Sequence, residues 1–158
     1  MEKQAHKTFY WIIKNFSLQS ERLCSVPVLI GDCKWRLLAY PKGSNCDYFS
    51  LYLEVVDFES MSCGLGRYVK FRLTFVNQVS PNLSAVRETE CCFDDKCTSW
   101  GFTTMLSLRK LQEEHNRYLV NGEVKIIAEV EVFEAAGTLI ESEISEEASE
   151  LLSKKQRE

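Results

Sequence analysis

The stretch DYFSLYLEV, residues 47–55, alternates apolar side chains with polar or tyrosyl ones along its whole length. The apolar positions are Phe49, Leu51, Leu53 and Val55. A period of two predicts a β-strand that turns one face to a core. The other face should meet water, yet it carries Tyr48 and Tyr52, whose rings favour contact with another group while their hydroxyls stay hydrated. The strand therefore raises the question of what these two tyrosines contact.

The same period of two recurs through most of residues 8–133 and predicts further strands. The clearest segments are Phe9–Ile13, Trp35–Ala39, Val69–Phe75 and Val124–Val132. Turn residues separate them, including Pro41-Lys-Gly43 and Asn121-Gly122. Because no strand–helix–strand spacing appears, the pattern predicts an all-β fold, an antiparallel β-sandwich.

Two segments instead have helical spacing. Phe102, Leu106 and Arg109–Leu111 fit one short amphipathic helix that ends before Asn116. Beyond the predicted sandwich domain of residues 6–136, Thr138 and Glu141 have the spacing of a helix capping box.

Residues 137–158 are therefore predicted to form a helical tail, a truncated coiled coil. Its heptad seam would consist of Ile144, Ala148 and Leu151. Barely two heptads fit, so the tail should oligomerise only weakly by itself.

Composition limits the classes of partner. The 158 residues suit one domain, and 19 basic against 23 acidic residues give a net charge of −4. That balance argues against nucleic acid and anionic membranes, which demand a basic face. No apolar segment has the length of a membrane span or a secretory signal, so we expect a cytoplasmic protein, with the nucleus as the alternative. Seven cysteines, an odd number, then indicate reduced and mostly buried thiols.

Candidate catalytic and metal-binding residues are few. Cys91, Cys92, Cys97 and His115 form the one conceivable metal constellation, but no pair has the Cys-x-x-Cys spacing of zinc ligands. A nucleophilic cysteine needs a base beside it, and the sequence has only two histidines. Asp94-Asp95 is typical of a turn. We therefore predict no enzyme activity, no metal and no cofactor.

Six ordered segments resemble the MATH (meprin and TRAF homology) domain family. They are FYWIIKNFS (9–17), GDCKWRLLAYPKG (31–43), DYFSLYLEV (47–55), YVKFRLTFVNQ (68–78), SWGF (99–102) and YLVNGEVKIIAEVEV (118–132). With a helical tail, the chain is most similar to plant MATH-and-coiled-coil proteins. The resemblance implies an eight-stranded sandwich without catalytic activity, which binds short extended peptides of partner proteins in a shallow groove on one sheet.

Matched residue by residue, the resemblance implies that the groove includes Tyr48, Phe71, Trp100 and Phe102. The stretch from Ser99 through Gly101 to Phe102 would offer main-chain groups to an incoming strand. The period of two, however, places Phe71 among the core residues, so it reaches a groove only if its strand bends. Cys91-Cys92 and Thr98-Ser99 depart from the family pattern, so the family's peptide consensus does not carry over. The alternative function is a scaffold that oligomerises through the C-terminal helix.

Overall fold

The computed structural model describes residues 3–56 and 66–133, which form strands, one short α-helix and three 3-10 turns. The strands are β1 (Lys3–Ile13), β2 (Leu23–Cys24), β3 (Val28–Ile30), β4 (Cys33–Tyr40), β5 (Tyr48–Val56), β6 (Arg67–Phe75), β7 (Ala85–Phe93), β8 (Ser99–Ser107) and β9 (Val124–Phe133). The helix α1 is Leu108–Gln112, and the 3-10 turns are Phe16–Leu18, Pro81–Leu83 and Glu114–Asn116.

The strands form two antiparallel sheets. One sheet has the order β1-β9-β6-β7 and the other has the order β2-β4-β5-β8, with β3 also paired to β4. Since β5 occupies one edge of β4, the short strands β2 and β3 share its other edge and act as one interrupted strand. The predicted eight-stranded antiparallel sandwich is therefore confirmed.

The core lies between the sheets and is built from the alternation seen in the sequence. The inward side chains of β9 are all fully buried: Val124, Ile126, Ala128, Val130 and Val132. From the facing sheet, Phe49, Leu51 and Leu53 are equally buried. Edge-to-face ring pairs join the two layers, with centroids 5.0 Å apart for both Phe49–Phe75 and Trp35–Phe93. Burial of each larger side chain in this core contributes about 1.5 to 3 kcal/mol to the stability of the folded state.

Two predicted turns have the backbone that their residues favour. Asn121 and Gly122 both have positive φ, 53° and 76°, which a tight hairpin requires of its central residues. Gly43 has φ of 86°, and its amide donates to the carbonyl of Tyr40, 3.0 Å away. The turns at Asn121-Gly122 and at Pro41–Gly43 are confirmed.

An ion pair also ties the two sheets together. Arg67 begins β6, and its Nη2 lies 2.6 Å from Oδ2 of Asp32, in the turn between β3 and β4. Burial by itself would raise the pKa of the Asp32 carboxyl, but the hydrogen bond and the charge of Arg67 outweigh it and lower that pKa. The carboxylate form of Asp32 therefore stabilises the folded state.

The prediction of a helix that begins at Phe102 is wrong for the first half of that segment. Residues Ser99–Ser107 form β8, and only Leu108–Gln112 are helical. The cause is a β-bulge. Leu51 pairs with Phe102 and Phe49 pairs with Leu106, so a step of two positions along β5 corresponds to a step of four positions along β8. The four-residue spacing of Phe102 and Leu106 thus reflects the bulge, although it matches one helical turn.

The prediction of mostly buried thiols is also wrong for the six cysteines that the structure describes. Only Cys33 is buried, Cys24 and Cys92 are exposed, and the others are half-buried. The predicted tail of residues 137–158, with Ile144, Ala148 and Leu151, lies outside the described residues.

The described part of the chain shows no helix with the length and apolar character needed to cross a membrane. Nor do its histidine, cysteine and carboxylate side chains cluster in threes as a metal ion would require.

Candidate functional site

The strand β8 is an edge strand, and the segment Ser99–Phe102 lies at its beginning. One side of β8 pairs with β5; its other side has no partner strand among the described residues. Such an edge presents a row of main-chain donors and acceptors to which another chain can pair. The structure therefore places the predicted main-chain segment where an incoming strand could bind.

Trp100 and Phe102 stand at the border between the two sheets. They pair with Leu53 and Leu51, so they point to the inner side of their sheet, because directly opposite residues share a face. Phe102 is half-buried, while Trp100 keeps 47% of its surface exposed because no strand lies beyond it in the described part of the chain. We call the rings of Trp100 and Phe102, which lie side by side along the free edge, the aromatic step.

Phe71 lies beneath this step and not on the surface. Its side chain is 3% exposed, and its ring centroid lies 6.2 Å from that of Phe102 and 6.3 Å from that of Phe93. The core position that the period of two predicts for Phe71 is therefore correct. The resemblance implied that Phe71 contacts the peptide, and this is corrected: Phe71 supports the ring of Phe102 from below.

Gly101 is where β5 and β8 come closest. A methyl group at this position would lie 2.3 Å from the Leu51 carbonyl oxygen and 2.6 Å from the Tyr52 Cα. Both are main-chain atoms, which move only if the strands separate. Glycine between Trp100 and Phe102 is therefore required by the packing of the two strands.

Tyr52 is held by groups of its own sheet. Its hydroxyl lies 2.8 Å from Oγ1 of Thr103, and its ring meets that of Tyr40 edge to face at 6.1 Å. The register of the sheet, which the local sequence pattern does not show, brings Tyr40, Tyr52 and the start of the bulge to the same outer face. One of the two outer tyrosines therefore packs within the chain.

Tyr48 lies apart from the aromatic step. It pairs with Ser107, whereas Trp100 pairs with Leu53, five residues further along β5, roughly 16 Å away at about 3.3 Å per residue. Tyr48 is 38% exposed and borders a different cleft, near α1. The structure brings together Ser99, Trp100, Gly101 and Phe102, but it does not bring Tyr48 to them.

The Cys91 thiol, on β7, is a poor nucleophile because of its environment. Burial, together with the neighbouring Cys97 and Cys92, raises the pKa of the Cys91 thiol to about 12. Since the thiolate is the reactive form, Cys91 is unreactive at neutral pH. Asp94 Oδ1 accepts hydrogen bonds from the main-chain amides of Lys96 and Cys97, at 2.9 and 2.8 Å, so the predicted turn at Asp94-Asp95 is confirmed.

The architecture, a two-sheet antiparallel sandwich, is TRAF-like. The solved structure of Notothenia coriiceps TRAF5 superposes with a TM-score of 0.57 over 85% of this chain and 77% of that one. The two sequences are 20% identical, so this similarity concerns the fold.

Sequence comparison identifies the family within that class. The MATH domain model matches residues 8–130. Two MATH domain and coiled-coil domain-containing proteins of Arabidopsis thaliana, At3g58430 and At3g58340, are 61% and 55% identical to this chain over 99% of its length. The chain belongs to the MATH domain family, whose members are generally protein-interaction modules. It spans about half the length of these relatives, 49% and 48%.

Proposed function

We propose that this chain binds a short extended segment of a partner protein along Ser99–Phe102. The observation that carries the proposal is the position of Trp100, an exposed indole on an edge strand that no described strand covers, with Phe102 beside it. Exposed aromatic residues at such positions commonly anchor partners.

The binding mechanism would combine two kinds of contact. The partner's main chain would pair with the free edge of β8, and alternate side chains would pack against Trp100 and Phe102. Phe71, buried beneath Phe102, would hold that ring in place. A short peptide in a shallow groove gives a dissociation constant in the micromolar range, which corresponds to a binding free energy on the order of −8 kcal/mol.

A peptide array probed with the whole chain tests this proposal. We expect Trp100→Ala to abolish capture of the peptides that the wild-type chain retains. The matched control is Tyr10→Ala, which removes an exposed aromatic side chain from the outer face of the other sheet. Unchanged capture by the Trp100→Ala variant, with a wild-type unfolding midpoint, would contradict the proposal.

The alternative is self-assembly through residues 137–158. The heptad spacing of Ile144, Ala148 and Leu151 supports it, as does the coiled-coil domain in the names of the Arabidopsis relatives. We expect the chain to be monomeric at micromolar concentration in analytical ultracentrifugation. A tight dimer or trimer that dissociates when residues 138–158 are deleted would favour the scaffold function.

The members of this family are interaction modules and not enzymes as a class. For this chain, the absence of catalysis and of cofactors, and its cytoplasmic location, stay predictions.

A further inference from the structure

A second cleft lies at the far end of β8 from Trp100. It has a volume of about 550 Å³ and is enclosed by the end of β8, the start of β7 and the 3-10 turn Pro81–Leu83. We call it the Tyr48 cleft, and the side chains that matter here are Tyr48, Leu83, Arg87, Leu106 and Lys110. None of the contacts proposed for Ser99–Phe102 involves these residues.

The walls of the Tyr48 cleft are fixed by partly buried hydrogen bonds. The hydroxyl of buried Tyr118 donates to the carbonyl of Leu83 at 2.8 Å and thereby holds the 3-10 turn. Ser84 Oγ accepts from the Asn77 amide at 2.9 Å, and this bond fixes the start of β7. The cleft is therefore preformed, and a ligand would lose little free energy in ordering it.

Among the residues that line the cleft are two exposed ones with large apolar groups, Tyr48 and Leu83. Leu83 is 59% exposed and Tyr48 is 38% exposed. The neighbouring Val86 pairs with Thr74, so its side chain lies on the outer face of its sheet, opposite to that of Arg87. A single exposed apolar side chain needs no explanation, but Tyr48 and Leu83 together give one partner side chain an apolar contact in a cleft that is otherwise polar.

The charges of the Tyr48 cleft have one sign. Arg87 and Lys110 line it, and no acidic residue does so within the part of the chain that the structure describes. Across the described ranges, neither cation has a carboxylate oxygen within the 4.0 Å of an ion pair. Other cations of the sheets do have carboxylate partners: Arg36, Arg67 and Arg72.

The local contacts of Arg87 and Lys110 leave them free to bind an anion. Arg87 Nη1 donates to the neighbouring carbonyl of Val86 at 3.1 Å, and Lys110 Nζ lies 6.0 Å from the centroid of the Tyr118 ring. In a chain of net charge −4, two cations around one cleft, neither paired with a described carboxylate, select for a ligand that carries carboxylates.

The main chain beside the cleft can also receive a peptide. β7 is the edge strand of its sheet in the described part of the chain, so Ala85–Arg87 pair with β6 on one side only. An extended segment can therefore pair with β7 while its side chains reach the cleft.

We propose that the Tyr48 cleft is a second peptide-binding site, specific for a segment in which an apolar side chain is flanked by aspartate or glutamate. The apolar side chain packs against Tyr48 and Leu83, and the carboxylates pair with Arg87 and Lys110. This site is independent of Ser99–Phe102 and accounts for the exposed position of Tyr48.

Titration of the ¹⁵N-labelled chain by NMR tests the proposal. The probe is an acetylated and amidated peptide, Gly-Ser-Glu-Glu-Leu-Glu-Glu-Ser-Gly, and its partner is the same peptide with glutamine in place of every glutamate. With the acidic peptide, we expect saturable shifts of the amides of Tyr48, Val86, Arg87 and Lys110. The glutamine peptide should bind at least about tenfold more weakly, because it loses the paired charges.

Charge-reversal variants show whether binding depends on the two cations of the cleft. Arg87→Glu with Lys110→Glu should weaken binding at least about tenfold, whereas Lys14→Glu with Lys34→Glu, which makes the same charge change on exposed cations elsewhere, should not. Circular dichroism checks that both double variants are folded.

The variant Trp100→Ala distinguishes the two proposed sites, since it should bind the acidic peptide as the wild-type chain does. The proposal is overturned by shifts confined to Ser99–Phe102, by the absence of saturable shifts, or by equal binding of the glutamine peptide. It is also overturned if both double variants lose binding equally, because general attraction between charges would then suffice.

Discussion

The substitution Gly101→Ala tests whether close packing of β5 and β8 explains the glycine between Trp100 and Phe102. The added methyl group would lie 2.3 Å from the Leu51 carbonyl oxygen, about 1.1 Å short of the 3.4 Å at which ordinary contact begins. Main-chain atoms cannot rotate away, so the strands must separate where Tyr52 pairs with Gly101. Overpacking costs about 1 to 3 kcal/mol, and weakening one or two ladder hydrogen bonds adds about 1 kcal/mol each. We expect Gly101→Ala to lower the free energy of unfolding by about 3 kcal/mol.

Gly122→Ala is the matched control, because it introduces the same methyl group under a different constraint. No atom lies within 4 Å of that position, but φ is 76°, which a residue with a Cβ adopts at a cost of about 1 kcal/mol. Urea denaturation of the wild-type chain and both variants, followed by far-UV circular dichroism, gives the three free energies. If Gly101→Ala costs no more than Gly122→Ala, the packing explanation is refuted.

The remaining predictions concern residues around this strand and the ion pair. Phe71→Ala should destabilise the fold by about 3 to 5 kcal/mol, as loss of a buried phenylalanine does, whereas Trp100→Ala should change the urea midpoint little. Because the folded-state pKa of Asp32 is lowered, its stabilising effect is present above the unfolded-state pKa, near 4, and is lost as the pH falls through the folded-state value. The difference in unfolding free energy between wild type and Asp32→Asn should therefore be present at pH 7 and shrink below about pH 4; a constant difference would contradict it. Iodoacetamide at pH 8 should modify exposed Cys92 well before Cys91, as mass spectrometry of peptides would show, and equal rates would refute the protection assigned to Cys91.

The sandwich could be predicted because burial on one face leaves a period of two in the sequence. In β9, every residue of the predicted inner set, from Val124 to Val132, is fully buried. The turn before this strand could be predicted because Asn121-Gly122 accept positive φ at both central positions. The family could be identified because six segments typical of it occur in their expected order.

The position of Tyr48 could not be predicted, because pairing between distant strands is not visible in the local pattern. Placing Tyr48 requires knowing that it pairs with Ser107 and that a bulge separates Ser107 from Trp100. The bulge gives no local signal except the adjacent buried residues Met105 and Leu106, which a period of two does not allow. The four-residue spacing of Phe102 and Leu106 across the bulge made the segment resemble a helix.

The bulge also determines how much of β8 a partner can use. Regular pairing with β5 runs from Ser99 to Phe102 and resumes only at Leu106, and buried Ser50 donates to the Thr103 carbonyl at 2.7 Å within the gap. A strand added to the free edge can therefore follow β8 for about four residues, roughly 13 Å at about 3.3 Å per residue, before the edge bends away. That length suits a short peptide and prevents the long edge-to-edge pairing that leads to aggregation. The bulge thus allows the protein to keep an exposed Trp100 on an open edge, and it also separates the aromatic step from the Tyr48 cleft.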